Sequence, residues 1–352
     1  MIKVGINGFG RIGRQIVSAM VEKDVLGKKV EVVAVVDVST DADYFAYQLK
    51  YDSIHGRFKG EIHTEKSNPE LKENDILVVN GNKIKCLMAT KSPDELPWKE
   101  LGVEYVFEAT GLFSQDTQAQ KHIDAGAKKV LLTAPGKGDG VKTIVMGVNE
   151  NEYDDSKHHI ISNASCTTNC LAPVVHVLLK EGLGIETGLM TTIHAYTATQ
   201  NLTDSPVKGS DLRRGRAATY NIVPSTTGAA LTVGKVIKDL KGKFDGISFR
   251  VPVICGSIAD ITMVTSKPTT VEEVNEILEK AANEPRWNKI MKVTKEQLVS
   301  SDIIGEEFGA IIDLNFTKVV DGDLVKVLSW YDNELGYART LVEHARAIKA
   351  QL

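Results

Sequence analysis

Lys3-Val4-Gly5-Ile6-Asn7-Gly8-Phe9-Gly10-Arg11-Ile12-Gly13, near the start of a 352-residue chain, reads as an apolar strand that runs through spaced glycines into a helix. Each glycine has a physical task in that setting. Gly8 permits the tight turn, Gly10 lets backbone approach a pyrophosphate, and Gly13 lets helix and strand pack closely. The positive end of the following helix then faces the phosphates. Asp37 ends the next strand, where a carboxylate can accept hydrogen bonds from adenosine ribose hydroxyls and would repel a 2′-phosphate. The expected cofactor is therefore NAD, with NADP disfavoured.

The alternation that begins there continues. The pattern predicts a strand at Lys3–Asn7, a helix at Arg11–Lys23 and a nearly continuous apolar strand at Val30–Val36. Further strands are expected at Val103–Glu108 and Lys129–Thr133, with a helix at Gln115–Ala125 between them. Repeated βαβ units imply a Rossmann-type, doubly wound parallel sheet whose faces are both covered. Beyond Cys166 the style changes to longer strands at Leu189–Thr197, Ile247–Val251, Ile258–Thr265, Ala310–Phe316 and Leu324–Trp330. Helices are expected at Leu171–Lys180, Thr226–Leu240 and Val271–Asn283, the last with Thr270 and Glu273 as a capping box. The fold class is therefore α/β: a parallel-sheet domain over 1–165, completed by a C-terminal helix within 333–352, and an α+β domain with a mixed or antiparallel sheet over 166–332. The final helix would bury Leu341, Val342, Ala345 and Ile348. Pro173 should bend the helix that contains it.

Composition narrows the function. Hydrophobic residues are 42%, charged residues 25%, and the net charge is −4, all ordinary for a globular protein. Lys128-Lys129 and Arg213-Arg214 are only doublets, so no nucleic-acid or membrane footprint is expected. Met1–Ile6 reads as strand, which predicts no signal peptide. Four cysteines, Cys86, Cys166, Cys170 and Cys255, are too few for a disulfide framework and suit a reducing cytoplasm. Cys166 and Cys170 can share a helix face, but His176 is the sole nearby further ligand, so no metal site is expected.

Cys166 is the candidate nucleophile. It lies in Ser162-Asn163-Ala164-Ser165-Cys166-Thr167-Thr168-Asn169, between a short β-rich run and a helix-like run. A thiol at a helix start feels the dipole's positive end, which favours thiolate. His194, on a later strand, is the candidate base, because a Cys–His pair is the common arrangement for an activated thiol. Thr197 follows that histidine, Arg213-Arg214-Gly215-Arg216 forms a basic cluster, and Ser225-Thr226-Thr227-Gly228 opens a predicted helix suited to anion capture. Arg250 ends another strand. Together these can cradle two phosphate groups.

With those motifs in view, the chain resembles the phosphorylating glyceraldehyde-3-phosphate dehydrogenase family over essentially its whole length. The matching blocks are NGFGRIGR (7–14), KYDSIHGRF (50–58), SNASCTTNCLAP (162–173), the His194 strand, DLRRGRAA (211–218), TTGAA (226–230), FRVP (249–252) and SWYDNELGY (329–337). The resemblance implies Cys166 as nucleophile and His194 as base, with Thr197 and Arg250 on the substrate C3 phosphate. It implies Ser165, Thr167, Thr227 and Gly228 around the attacking phosphate, with Arg214 and Arg216 nearby. It assigns Arg11, Ile12, Asp37, Lys91 and Thr133 to NAD, and Asn333 to the nicotinamide carboxamide with Tyr337 close by. It further implies the substrates glyceraldehyde 3-phosphate and inorganic phosphate, and a homotetramer in which residues from about Ala195 to Ala217 reach a neighbouring subunit.

Two regions depart from the family pattern. Val36-Asp37 replaces the usual Asn-Asp, with a longer following segment, and Lys208-Gly209-Ser210-Asp211 is also longer. Two alternatives compete: an erythrose-4-phosphate dehydrogenase, disfavoured by the intact Thr226-Thr227-Gly228, and a redox-sensing protein on the same scaffold.

Overall fold

The computed structural model describes residues 1–207 and 210–350, except the side chains of 348–350. Lys208, Gly209 and the Ile348 side chain, on which expectations fell, lie outside the described residues. The chain divides into two compact units. The first is Met1–Ile144, Glu152–Ala164 and Leu341–Leu352; the second is Val145–Asn151 and Ser165–Thr340.

In the first unit the strands are β1 (Ile2–Asn7), β2 (Val30–Asp37), β3 (Tyr51–Asp52), β4 (Gly56–Arg57), β5 (Ile62–Glu65), β6 (Ile76–Val79), β7 (Asn82–Met88), β8 (Tyr105–Glu108), β9 (Lys129–Leu132), β10 (Val141–Thr143) and β11 (Ile160–Ser162). Nine of them form one sheet in the order β10-β11-β9-β8-β1-β2-β7-β6-β5. From β10 to β7 every pairing is parallel; only the β7–β6 and β6–β5 pairings are antiparallel, so β6 alone runs against the rest. The helices α1 (Arg11–Glu22), α2 (Ala42–Lys50), α3 (Trp98–Leu101) and α4 (Asp116–Asp124) link these strands. The Val30–Val36 run is apolar because its sheet is covered on both faces: Ala34, Val35 and Val36 have no exposed surface. The chain leaves β1 toward β2 on one side and returns to β8 on the other. The switch in strand order therefore lies at β1, where open α/β sheets bind ligands.

A buried polar network fixes that switch point. Glu108, 3% exposed, accepts from Asn7 Nδ2 at 2.6 Å and meets His122 Nε2 at 2.9 Å. Trp98 Nε1 donates to His122 Nδ1 at 2.9 Å. An indole N–H can only donate, so Nδ1 accepts and Nε2–H donates to the carboxylate. His122→Leu would strand both the carboxylate and the indole. It should cost about 2–5 kcal/mol, read as a lower urea midpoint; an unchanged midpoint would show that the network contributes nothing.

The second unit holds β12 (Thr187–Ala195), β13 (Val223–Thr226), β14 (Phe244–Val251), β15 (Ser257–Val264), β16 (Met291–Thr294), β17 (Ala310–Val320) and β18 (Leu324–Tyr331). They form a mixed sheet ordered β13-β14-β12-β15-β18-β17-β16. β12–β14 and β16–β17 are parallel and the rest antiparallel. Helices α5 (Cys166–Lys180), α6 (Ala229–Val236) and α7 (Val271–Ala282) belong to this unit. The last helix, α8 (Leu335–Ala350), begins in it and is counted with the first unit from Leu341 on.

Three sequence expectations need correcting. The helix expected from Leu171 begins at Cys166, because Ser165 caps it by accepting from Thr168 N–H. It runs on through Pro173 to Lys180 without interruption. The helix expected over Thr226–Leu240 is shorter: Thr226 closes β13, and α6 spans only Ala229–Val236 before a 3₁₀ turn at Lys238–Leu240. The capping box at α7 is half formed: Thr270 accepts from Glu273 N–H, while the Glu273 carboxylate takes the Thr269 hydroxyl.

Candidate active site

In the first unit a cleft of about 320 Å³ is lined by Gly8, Gly10, Asp37 and residues of the β2, β7 and β8 ends. Gly8 has φ +98°, and a Cβ there would meet the Ala109–Thr110 backbone at 2.7 Å. A Cβ on Gly13 would lie 2.1 Å from the Gly8 carbonyl oxygen. A Cβ on Gly10 would meet nothing within 4 Å, so it would project into open space. Gly10 is also the N-cap of α1; it offers no capping side chain, and the first turn carries no acid. A turn, a close contact and a bare helix start are what a pyrophosphate requires, so the residues fit a dinucleotide. Asp37 accepts from Phe9 N–H at 2.8 Å and Val38 N–H at 2.7 Å, which holds the carboxylate at the cleft.

Arg11 takes an unforeseen partner. Its guanidinium meets Asp52 Oδ2 at 2.5 Å and His55 Nδ1 at 3.4 Å, and Gln15 donates to the same carboxylate at 3.0 Å. Burial raises the Asp52 pKa, but bonds from His55, Arg11 and the Ile54 backbone outweigh it and hold the group well below the ordinary range. Asp52 and His55 belong to the KYDSIHGRF block, and through Arg11 and Gln15 they tie down the start of α1. Ile12 sits half-buried on that turn. Lys91 is exposed, and the Thr133 N–H donates to the Glu108 carbonyl at 3.1 Å; neither lines the cleft.

In the second unit Cys166 is the first residue of α5. The residue two before it, Ala164, has φ +57°, a left-handed conformation costly for a side chain. Such strain persists where surrounding structure enforces it, often at working sites. Cys166 Sγ lies 3.5 Å from His194 Nε2 and 4.0 Å from Thr167 Oγ1. His194, 5% exposed, is the penultimate residue of β12, and Arg250 is its register partner on β14. Its Nδ1 is 2.6 Å from the Ala195 carbonyl oxygen and 2.7 Å from Arg250 Nη1. Burial, then the Arg250 charge, push the imidazole down to about 3, so it is neutral at ordinary pH. The thiol departs from expectation: burial raises its pKa, against the pull of Arg250 and the Thr167 hydroxyl, so the helix start alone does not make a thiolate.

Around the pair stand groups the sequence did not single out. Tyr331 is buried, its hydroxyl 2.9 Å from Thr167 Oγ1 and 2.8 Å from Thr192 Oγ1, and its ring stands edge-on to His194. Thr168 links two helix starts: it approaches Ser165 Oγ at 2.9 Å and donates to the Ala229 carbonyl at 3.4 Å. Ala229 opens α6, where Gly228 is the N-cap and Thr227 Oγ1 accepts from Ala229 N–H at 3.2 Å. Thr197 joins Arg214 through Thr199, with oxygens 2.9 Å apart and Arg214 Nη1 3.4 Å further on. Arg216 is not brought to this group; it pairs with Asp204 at 2.8 Å on an exposed loop. Asn333 is buried against β15, and Tyr337 is buried on α8. Cys170 is sealed in the core against Ser329, Cys255 lies 3.3 Å from Asp332 Oδ1, and all four cysteines are free.

A dinucleotide cleft in one unit and a Cys–His–Arg cluster at a helix start in the other lead to one comparison. The family model described as the glyceraldehyde 3-phosphate dehydrogenase NAD binding domain matches residues 2–116, and that of the C-terminal domain matches 165–333. The chain belongs to the glyceraldehyde-3-phosphate dehydrogenase family. It is 53% identical to the glycosomal glyceraldehyde-3-phosphate dehydrogenase of Crithidia fasciculata, over 99% of this chain and 97% of that one. It is 49% identical to the enzyme of Streptomyces coelicolor over 97% of both chains, and 48% identical to that of Geobacillus stearothermophilus over 99% of both. The chain is an NAD-dependent oxidoreductase of that family. No helix among the described residues is long and apolar enough to cross a membrane.

Proposed function

We propose that this chain catalyses the phosphorylating oxidation of glyceraldehyde 3-phosphate to 1,3-bisphosphoglycerate, carried by the 3.5 Å approach of His194 Nε2 to Cys166 Sγ beside Arg250. Residues 1–165 with the last helix hold the dinucleotide, and 166–332 carry the chemistry. Gly8, Gly10, Gly13 and the Arg11–Ile12 turn seat the pyrophosphate, Asp37 the ribose, Lys91 and Thr133 the flanks, and Asn333 with Tyr337 the nicotinamide end. Arg250 and Thr197 hold the C3 phosphate. Ser165, Thr167, Thr227 and Gly228 receive inorganic phosphate, with Arg214 near and Arg216 at the margin.

His194 works as a neutral base in the tautomer with Nδ1–H on the Ala195 carbonyl and the Nε2 lone pair toward sulfur. The Arg250 Nη1 donor 2.7 Å from Nδ1 favours the opposite tautomer, and it must turn to the Ala195 oxygen, which it already meets at 3.2 Å, for the base to act. His194 takes the thiol proton as sulfur bonds to the aldehyde carbon, then returns that proton to the carbonyl oxygen, giving a hemithioacetal. NAD held by the glycine turn and Asp37 would supply the hydride acceptor for that carbon. His194 takes the hydroxyl proton at the same stage, and a thioester on Cys166 remains. An oxygen of inorganic phosphate adds to the thioester carbon, and sulfur leaves with its electron pair. A thioester conserves the oxidation energy for that transfer, where an oxygen ester would conserve less.

None of the three relatives compared carries an erythrose-4-phosphate dehydrogenase name. A homotetramer in the cytoplasm completes the proposal. Leu189 and Ile247 are exposed on the same face of the mixed sheet, and Ile222 is exposed just before β13, apolar surface suited to a second copy. The free cysteines suit a reducing compartment. Steady-state kinetics test the activity. Turnover of glyceraldehyde 3-phosphate should require phosphate, and kcat/KM should favour NAD over NADP at least about tenfold, about 1.4 kcal/mol. Equal turnover with NADP would overturn the role given to Asp37.

A further inference from the structure

Asn333 is an amide, with one end that accepts and one that donates. Its Oδ1 lies 3.2 Å from the Gly256 backbone nitrogen and 2.9 Å from Ser257 Oγ. A backbone N–H can only donate, so the atom facing it must be the oxygen, and the assignment of the two amide ends is fixed. Nδ2 has no hydrogen-bond partner among the described residues, and it is not among the sealed, unpartnered polar atoms. The donor end is therefore the one left to meet a ligand.

Ser257 is 1% exposed and fully engaged: its oxygen accepts from Ala195 N–H at 3.1 Å, leaving its proton for Asn333 Oδ1. Ala195 adjoins His194, and its carbonyl accepts from Arg250 at 3.2 Å. The neighbouring glycine is obligatory: Gly256 has φ +89°, and a Cβ would stand 2.1 Å from the Ser300 carbonyl oxygen. Asp332 steadies the other side, accepting from Glu334, Leu335 and Gly305 N–H groups at 2.8–2.9 Å.

We propose that Ser257 is a positioning residue that locks the Asn333 amide with its NH₂ outward, toward a carboxamide oxygen, and ties that orientation to the strand end bearing His194. The proposal rests on Asn333 meeting the nicotinamide carboxamide. Without the serine hydroxyl only the longer Gly256 N–H bond, at 3.2 Å, holds the oxygen end, and the amide keeps its outward NH₂ less firmly.

The test is the split between two Michaelis constants in the full-length enzyme. Ser257→Ala should raise KM for NAD about tenfold, the weight of one lost hydrogen bond, and leave KM for the aldehyde within about twofold. Ser257→Thr, which restores the hydroxyl, should recover the NAD value. An unchanged KM for NAD, or equal rises in both constants, overturns the proposal. Should Ser257→Ala not fold, Ser257→Cys, a weaker donor, must give an intermediate rise in KM for NAD; no rise overturns it. Asn333→Ala separates the two levels. If it leaves KM for NAD unchanged, the reading of Asn333 fails. If it raises KM while the Ser257 variants do not, only the role of Ser257 fails.

Discussion

Cys166→Ser is expected to remove dehydrogenase activity by a factor on the order of 10⁴ or more while dinucleotide binding stays near wild type. The two halves of that outcome come from different residues. The cleft with Gly8, Gly10 and Asp37 is built by the first unit, and no Cys166 atom lines it. The activity depends on sulfur at the start of α5. A serine hydroxyl there is far less acidic than the thiol it replaces. The neutral His194 beside it has Nδ1 close to a backbone carbonyl and to a guanidinium, and among the described residues no carboxylate bonds it to stabilise an imidazolium. A serine adduct, once oxidised, would also be an oxygen ester that phosphate attacks less readily. Calorimetric titration with NAD and an assay of aldehyde-dependent reduction measure the two halves. Retention of a tenth of the activity would remove Cys166 from the nucleophile's place. Loss of NAD binding in parallel would instead mark it as a structural residue.

The dinucleotide half of the site was legible because its signal is local. Three glycines, a strand before and a helix after lie within one short run, and each glycine's use follows from backbone geometry that neighbours in sequence impose. Cys166 was legible for the same reason, as a thiol between a strand-like and a helix-like run. The supporting groups were not. Tyr331, Thr192 and Thr167 meet only because β18, β15 and β12 lie side by side in register with α5 at their end. Nothing near Tyr331 in sequence names Thr192. Ser257 is similar: a serine opening a strand has many bland uses, and its two bonds go to residues far away in the chain. β13 was missed because the expected helix took in its last residue, Thr226, and the short run before it, broken by Pro224, shows too little alternation to read as a strand. That run is an edge strand, where Pro224 is tolerated. The thiol's acidity was misjudged for a related reason: position on a helix can be read from sequence, whereas desolvation depends on what packs around the sulfur.

His194→Asn carries the second large effect. Asparagine is short and can keep a donor on the Ala195 carbonyl, but it has no group in the place of Nε2 and no proton-accepting nitrogen. The thiol proton and the hemithioacetal proton then have only water to receive them, and kcat should fall about 10²–10⁴-fold. The same substitution has a signed consequence for stability. His194 titrates near 3 in the fold, against about 6.5 when unfolded. Between those values the unfolded chain binds the proton and the folded chain does not, so wild-type stability falls as pH drops from 6.5 toward 3. This one group contributes a slope approaching about 1.4 kcal/mol per pH unit. The Asn variant lacks the titration, so the stability gap between the proteins should narrow as pH falls from 7 to 4. Urea unfolding at stepped pH reads that gap. Parallel pH curves would mean that His194 is not held neutral by burial and by Arg250. The kinetic loss without the change in slope would leave a base whose proton affinity the fold does not depress.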